Sequence, residues 1–198
     1  MSQTGHPRGF FGHLAGMIMA QVNEPMMDAA IELLDVQPDE QILEIGFGPG
    51  VLIQRIARRL QSGFVAGVDV SDVMVRQATG RNKRFIGNGR VQLREGSVSN
   101  LPFPDGFFTA ACTINSFQFW PTPDTDLLEV RRVLKYRGRL LLGLRIRNPN
   151  RRFMKKSGFT PRGVLDVKAQ VERAGFRDVT VETRRLAKEH ASFICAHC

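Results

Sequence analysis

The chain is poor in the residues that build disulfide frameworks and metal centres. It has only three cysteines, Cys112, Cys195 and Cys198, and small disulfide scaffolds carry more for their length. Cys195 and Cys198 have the spacing of half a metal site, but no second pair of ligands elsewhere in the chain completes it. We therefore expect no metal site, and we expect Cys112 to pack as a small apolar residue.

Long hydrophobic runs are also missing. A helix that crosses a bilayer needs about 18 or more apolar residues. The nearest candidate, residues 10–22, is interrupted by Gly12, His13 and Gly16. The first residues also lack the charged and then apolar layout of a signal peptide. The sequence therefore predicts a cytoplasmic protein with no transmembrane segment.

Acidic residues are in the minority. The chain has 28 Lys and Arg against 19 Asp and Glu, which gives a net charge of +9. The excess is concentrated in residues 76–90 and 145–156. Such patches favour anionic partners such as RNA or phospholipid headgroups, and a solvated basic surface explains them equally well. A peripheral contact with an anionic surface is one expectation.

Apolar runs alternate with amphipathic stretches along the chain. Strands are predicted at residues 41–45, 64–70, 91–95, 107–115, 139–145, 179–183 and 192–196. Helices are predicted at residues 51–60, 72–79, 124–134 and 163–174, and Tyr136–Gly138 is expected to break the third of them. The pattern predicts an α/β fold: a Rossmann-like, doubly wound, mostly parallel sheet of about seven strands with a C-terminal antiparallel hairpin.

The domain organisation follows from the same pattern. Repeats and linkers are absent, so residues 1–198 are predicted to form a single domain. Residues 1–35 precede the first strand and contain two helical patterns, at residues 10–22 and 23–34. We expect this segment to form a helical lid over the site.

A glycine-rich turn organises the site. The stretch QILEIGFGPG joins a buried strand to a helix through Gly46, Gly48 and Gly50. A turn of this kind brings bare backbone against a cofactor. The spacing differs from the dinucleotide fingerprint, whose third glycine would stand at Val51, and the Lys and Ser/Thr of a P-loop are absent.

Two acidic residues flank this turn. Glu44 lies near the end of the first strand, and Asp69 ends the second strand, 19 residues after Gly50. A carboxylate at the position of Asp69 can accept both hydroxyls of a ribose. It would also repel a 2′-phosphate, which disfavours an NADP-type ligand.

These residues belong to a longer series of motifs. The series comprises Glu44–Gly50 with its three glycines, Asp69, Leu101-Pro-Phe-Pro-Asp105, Leu134-Lys-Tyr-Arg-Gly138 and Ala174-Gly-Phe176. It resembles the class I S-adenosylmethionine-dependent methyltransferases. The similarity extends from about Ala29 to the C-terminus and is greatest to the methyltransferase type 11 branch, which includes the ubiquinone and menaquinone biosynthesis enzymes.

The resemblance implies roles for individual residues toward S-adenosylmethionine, with S-adenosylhomocysteine as product. The backbone of Gly46, Gly48 and Gly50 would hold the methionine part, and Glu44 would receive its ammonium group. Asp69 would bind the ribose. The remaining expected contacts are Val70 and Met74 beside the adenine, Ser97 and Val98 at its edge, and the backbone of Asn115 near the amino-acid part. The family usually has Asp where Ser97 stands.

The predicted activity is methyl transfer to a small or amphiphilic acceptor, such as a quinone-like ring, a lipid amine or a secondary metabolite. No catalytic residue is identified. The candidates are His13, if the lid closes over the site, and Asn115, Gln118 and Trp120 after the fourth strand. Two alternatives stay open: RNA as the acceptor, and a non-catalytic scaffold that binds RNA or anionic lipid through its basic patches.

Overall fold

A computed structural model describes residues 24–147, 158–186 and 189–198. They form a seven-stranded sheet in the order β3-β2-β1-β4-β5-β7-β6. The strands are β1 (Gln41–Ile45), β2 (Phe64–Asp69), β3 (Val91–Glu95), β4 (Phe108–Ile114), β5 (Leu134–Arg145), β6 (Arg177–Leu186) and β7 (Glu189–His197). The first five strands pair parallel, and β7 pairs antiparallel with both β5 and β6. The predicted α/β fold with its closing antiparallel hairpin is confirmed.

Helices cover both faces of the sheet. One face carries α1 (residues 24–34), α2 (Val51–Ala57) and α3 (Asp72–Gly87), and the other carries α4 (Pro123–Val133) and α5 (Pro161–Arg173). Side chains of β1 alternate between the two cores, since Ile42 packs with the first group of helices and Leu43 with the second. Burial of both faces explains why the central strands β2 and β4 are mostly apolar.

Local signals begin the helices. The hydroxyl of Ser71 accepts the backbone N–H of Met74 at the start of α3, and Thr160 accepts that of Gly163 at the start of α5. These are ordinary N-cap contacts, which satisfy amides that have no partner within the helix. The cap at Ser71 is important for the site because it fixes the chain directly after Asp69.

Two boundaries predicted from the sequence are wrong. Helix α3 continues to Gly87 instead of ending near Thr79, because burial of Ala78 and Asn82 outweighs the low helix propensity of Gly80. Helix α4 ends at Val133, and β5 begins at once, so Tyr136–Gly138 lie within a strand. Arg137 adopts a left-handed backbone conformation there, with φ of 61°.

Part of the predicted lid falls outside the described residues. The helical pattern at residues 10–22 and the candidate His13 are in that part, so the lid stays a prediction. Among the residues that the structure describes, no helix is long and apolar enough to span a bilayer.

Candidate active site

A cavity of about 280 Å³ opens at the carboxyl ends of β1, β2 and β4. This edge is where an open α/β sheet binds its ligands, because the strand order reverses there. Its lining includes most of the residues that the sequence predicted for the cofactor: Glu44, Gly46, Gly48, Asp69, Val70, Met74, Ser97, Val98 and Asn115, together with the catalytic candidate Trp120. Gly50 and Gln118 lie outside this lining.

The glycine turn is packed on two sides and open at its centre. A Cβ at Gly46 would lie 2.0 Å from Ser116 Oγ, and one at Gly50 would lie 2.6 Å from the Ala78 Cβ. A Cβ at Gly48 would meet nothing within 4 Å, and Gly48 has φ of 52°. Gly50 is therefore needed for packing against α3, whereas the open space at Gly48 is a cradle beside the cavity.

The carboxylate of Asp69 ties the first two loops together. Its Oδ2 accepts the backbone N–H of Gly48 at 2.8 Å, and its Oδ1 accepts that of Ser71 at 2.9 Å. Each carboxylate oxygen of Asp69 thus accepts one backbone amide. The side chain is fixed in the lining of the cavity by backbone amides of two different loops.

Glu44 presents the opposite situation, a buried carboxyl group with no ion-pair partner among the described residues. Only 3% of the residue is exposed, and its Oε2 is buried with no hydrogen-bond partner among the described residues. Burial, and then the negative charge of Asp69, raise the pKa of Glu44 well above its usual range. A cationic ligand group in the cavity would compensate both effects.

Loops after β2 and β3 form one side wall. Val70 is 51% exposed, whereas Met74 and Val98 are buried. Ser97 stands between Gly96 and Val98 in the lining. The wall therefore combines apolar surfaces that suit a flat heterocycle with the hydroxyl-bearing residues Ser71 and Ser97.

The residues after β4 form the other wall. Hydrogen bonds hold two predicted catalytic candidates in this segment, Asn115 in the lining and Gln118 outside it. The Oδ1 of Asn115 accepts the backbone N–H of Arg145 at 3.1 Å, and its Nδ2 lies 3.2 Å from the sulfur of Met26. Gln118 Nε2 donates to the carbonyl oxygen of Asn115 at 2.7 Å. These contacts favour positional roles for both side chains.

Trp120 completes this wall with aromatic surface. It is buried and packs on Phe117 with ring centroids 4.9 Å apart, and Phe119 on the rim is 61% exposed. The indole Nε1 is buried without a hydrogen-bond partner in the described part of the chain.

Some lining residues were not predicted. Met27 reaches the cavity from α1, and Ser116 contributes from the turn after β4. Met27 fits the apolar periodicity of its helix, so periodicity alone cannot distinguish it from a core residue. For Ser116 the available signal is its position two residues after a buried strand, at the edge where ligands bind.

Comparisons with known proteins agree with this geometry. A family model described as a methyltransferase domain matches residues 42–138. The chain is 28% identical over 183 residues to the uncharacterized methyltransferase YdaC of Bacillus subtilis, covering 92% of this chain and 96% of that protein. It is 34% identical over 132 residues to the ubiquinone/menaquinone biosynthesis C-methyltransferase UbiE of Teredinibacter turnerae, covering 64% of this chain and 51% of UbiE.

A solved structure has the same fold. The S-adenosylmethionine-dependent methyltransferase from Aquifex aeolicus superposes with a TM-score of 0.75 at 17% identity, over 92% of this chain and 97% of that one. With the glycine turn, the fixed Asp69 and the buried Glu44, these similarities lead to one conclusion. The chain belongs to the class I S-adenosylmethionine-dependent methyltransferases, and S-adenosylmethionine is its cofactor.

Proposed function

We propose that this enzyme methylates a small or amphiphilic acceptor by in-line transfer. The observation that carries the proposal is the make-up of one cavity. A buried Glu44 oxygen with no hydrogen-bond partner in the described part of the chain lies near the glycine turn, and an aromatic wall follows β4. One part suits the polar amino-acid group of the cofactor, and the other suits an apolar acceptor.

Three residues would orient the donor. Glu44 would accept hydrogen bonds from its ammonium group, and the backbone around Gly48 would lie against its amino-acid chain. Asp69, already fixed by two backbone amides, would accept the two ribose hydroxyls. The bound cofactor supplies an electrophilic methyl group on a sulfonium, so these residues act by alignment and by keeping water out.

The heterocycle would lie along the wall after β2 and β3. Val70 and Met74 would contact its faces, and Ser97 and Val98 would contact its edge. Backbone of Asn115 would border the amino-acid part from the other side. These roles are consistent with the positions of all five residues in the lining of the cavity.

The acceptor would approach along Met27, Phe119 and Trp120. These side chains offer apolar and aromatic surface, which favours a ring or a chain over a highly charged group. A quinone-like ring, a lipid amine or a secondary metabolite fits this description, and the name of the UbiE relative is in line with the first of them. If the nucleophile starts protonated, its proton must leave as the new bond to carbon forms, and His13 is our candidate to accept it.

Calorimetry with S-adenosylhomocysteine tests the donor site. We expect the wild-type protein to bind S-adenosylmethionine and S-adenosylhomocysteine but not NAD. Asp69→Ala should weaken binding of both ligands by at least about 1.5 kcal/mol, the scale of a lost charge-assisted hydrogen bond. Asp166→Ala, an exposed position on α5, is the matched control and should bind normally. Equal affinity in Asp69→Ala and wild type would contradict the ribose assignment.

Turnover separates the enzyme from a scaffold that only binds the cofactor. Formation of S-adenosylhomocysteine should require an added pool of lipid or small-molecule acceptors, and the methylated product identifies the class. RNA binding with strong salt dependence and no turnover with either pool would instead support the scaffold.

A further inference from the structure

A chain of hydroxyl groups connects the cavity wall to a buried carboxylate in α4. Ser97 lines the cavity, and its Oγ lies 3.3 Å from the Oγ of Ser99. Ser99 Oγ in turn donates to Asp126 Oδ1 at 2.7 Å. Asp126 is completely buried, so this short series of hydrogen bonds runs from the ligand-facing surface into the protein.

The carboxylate at the end of this chain is held by further donors. Thr122 donates its backbone N–H to Asp126 Oδ2 at 2.9 Å and its hydroxyl to Oδ1 at 3.1 Å. Ser99 and Thr122 both donate hydrogen bonds to the Asp126 carboxylate. Asp126 therefore acts only as an acceptor, and its position at the start of α4 also suits negative charge.

The number of hydroxyl protons on the two serines determines which group donates in each hydrogen bond. A serine hydroxyl has one proton to donate and two lone pairs. Ser99 donates its hydroxyl proton to Asp126, so Ser97 must be the donor in the hydrogen bond between the two serines. The Oγ of Ser97 also accepts the backbone N–H of Ser99 at 3.2 Å. The Oγ of Ser97 therefore has one lone pair available for a ligand.

We propose that Ser99 and Asp126 hold Ser97 as a hydrogen-bond acceptor, so that the cavity selects a purine with a 6-amino group over one with a 6-oxo group. The inference rests on the proposed placement of the adenine edge at Ser97. An amino group donates to the lone pair of Ser97. A 6-oxo group would face that lone pair with one of its own, and Ser97 has no free proton to relieve the repulsion.

The experiment compares binding of S-adenosylhomocysteine with binding of S-inosylhomocysteine, its 6-oxo analogue, by calorimetry. The quantity of interest is the ratio of the two dissociation constants. Any contribution from ring N1, which also differs between the ligands, cancels when ratios of variants are compared with the ratio of wild type. We expect wild type to prefer the amino ligand.

Two variants should relax this preference by different routes. Ser99→Ala removes the acceptor that takes the proton of Ser97, so Ser97 becomes able to donate to the oxo group. Asp126→Asn retains the shape of the side chain but can place an amide N–H toward Ser99, which then donates to Ser97 and reverses the chain. The preference should fall about fivefold or more in each, the scale of one hydrogen bond.

Two further variants make the result decisive. Ser97→Ala should weaken binding of the amino ligand and reduce the preference as well, whereas Thr125→Ala, whose hydroxyl bonds Thr122 and not Asp126, should keep the wild-type ratio. Equal losses for both ligands in Ser99→Ala and Asp126→Asn would reduce these residues to structural supports and overturn the proposal. An unchanged affinity in Ser97→Ala would overturn it too. Failure of wild type to bind either ligand would instead refute the proposed function itself.

Discussion

At the scale of single residues, Glu44 carries the strongest physical constraint. A buried carboxyl group with a raised pKa favours the neutral form in the free protein. An ammonium group bound beside it favours the charged form. Ligand binding should therefore release a proton from Glu44 over the pH range that extends upward from the usual range of a glutamate.

This linkage gives the first prediction. S-adenosylhomocysteine should bind more tightly as pH rises through the raised pKa of Glu44, and calorimetry in two buffers of different ionisation enthalpy should detect the released proton. Glu44→Gln should weaken binding about tenfold or more, since a charge-assisted hydrogen bond is lost, and should abolish the proton release. Proton release that persists in Glu44→Gln would assign the linkage to another group.

Glu44 should affect the stability of the ligand-free protein in the opposite sense as pH rises. Because the folded-state pKa of Glu44 is raised, its contribution to the stability of the free protein is present at low pH and is lost as pH rises through that pKa. Glu44→Gln should remove this part of the pH dependence. Its melting temperature should exceed that of ligand-free wild type at alkaline pH, as thermal unfolding can show. A lower melting temperature for the variant would contradict the burial of an unpaired charge.

Gly48 and Gly50 should respond differently to the same substitution. Gly50→Ala places a methyl group 2.6 Å from Ala78 and forces a left-handed alanine, so unfolding should become easier by more than about 2 kcal/mol. Gly48→Ala meets no atom within 4 Å and should cost only about 1 kcal/mol for its backbone conformation. Affinity for S-adenosylhomocysteine should nevertheless fall sharply in Gly48→Ala, because the methyl group occupies the space beside the cavity. Denaturant titration and calorimetry of both variants check the contrast.

At the scale of elements, two side chains of α3 support the glycine turn by donating hydrogen bonds to backbone carbonyl groups of the turn. Arg81 Nε donates to the carbonyl of Pro49 at 2.9 Å, and Asn82 Nδ2 donates to that of Gly50 at 3.0 Å. The N–H of Gly48 thus donates to Asp69, while the carbonyl groups of Pro49 and Gly50 accept hydrogen bonds from α3. This support holds the open face of the turn toward the cavity.

Loss of the Asn82 amide should loosen that support. Asn82→Ala removes hydrogen bonds to the carbonyls of Gly50 and Ala78, and it should destabilise the protein by about 1–3 kcal/mol. Binding of S-adenosylhomocysteine should weaken several-fold, because the turn becomes less well ordered. Asn88→Ala, at the exposed end of the same helix, is the control. A stability loss with unchanged ligand affinity would show that the support does not reach the site.

The sequence predicted the elements better than their ends. Strands β1 and β2 could be predicted because burial on both faces requires mostly apolar runs. Asp69 could be predicted as a site residue because it ends such a run. The extension of α3 through Gly80 was not, since it depends on Ala78 and Asn82 packing against a turn that is distant in sequence. For the same reason the chain from Ser97 to Asp126, which joins residues 29 positions apart, carries no sequence signature.

At the scale of the whole molecule, one face of the sheet carries a group of exposed cations among the described residues. The exposed cations Arg58 and Arg59 follow α2, and Lys83 and Arg84 lie near the end of α3 on the same face of the sheet. By contrast, Arg173 at the end of α5 forms an ion pair with Asp124 on the other face. We propose that any contact with an anionic surface is made by the first face.

We expect this face to bind vesicles that contain anionic phospholipid, at low salt and not at high salt, because screening weakens such contacts. Reversal of charge in Arg58→Glu with Arg59→Glu should weaken vesicle binding more than tenfold, whereas Arg173→Glu should have little effect. Sedimentation with neutral and anionic vesicles measures the difference. Equal binding to both kinds of vesicle would exclude an electrostatic contact.

We propose that the cofactor lies across the glycine turn between Glu44 and Asp69, and a crystal structure of the complex with S-adenosylhomocysteine would show its position. We expect both ribose hydroxyl oxygens within about 3.2 Å of the Asp69 carboxylate, the ligand's amino group beside Glu44, and its chain against Gly48. A ligand bound elsewhere, or one whose ribose does not contact Asp69, would contradict it.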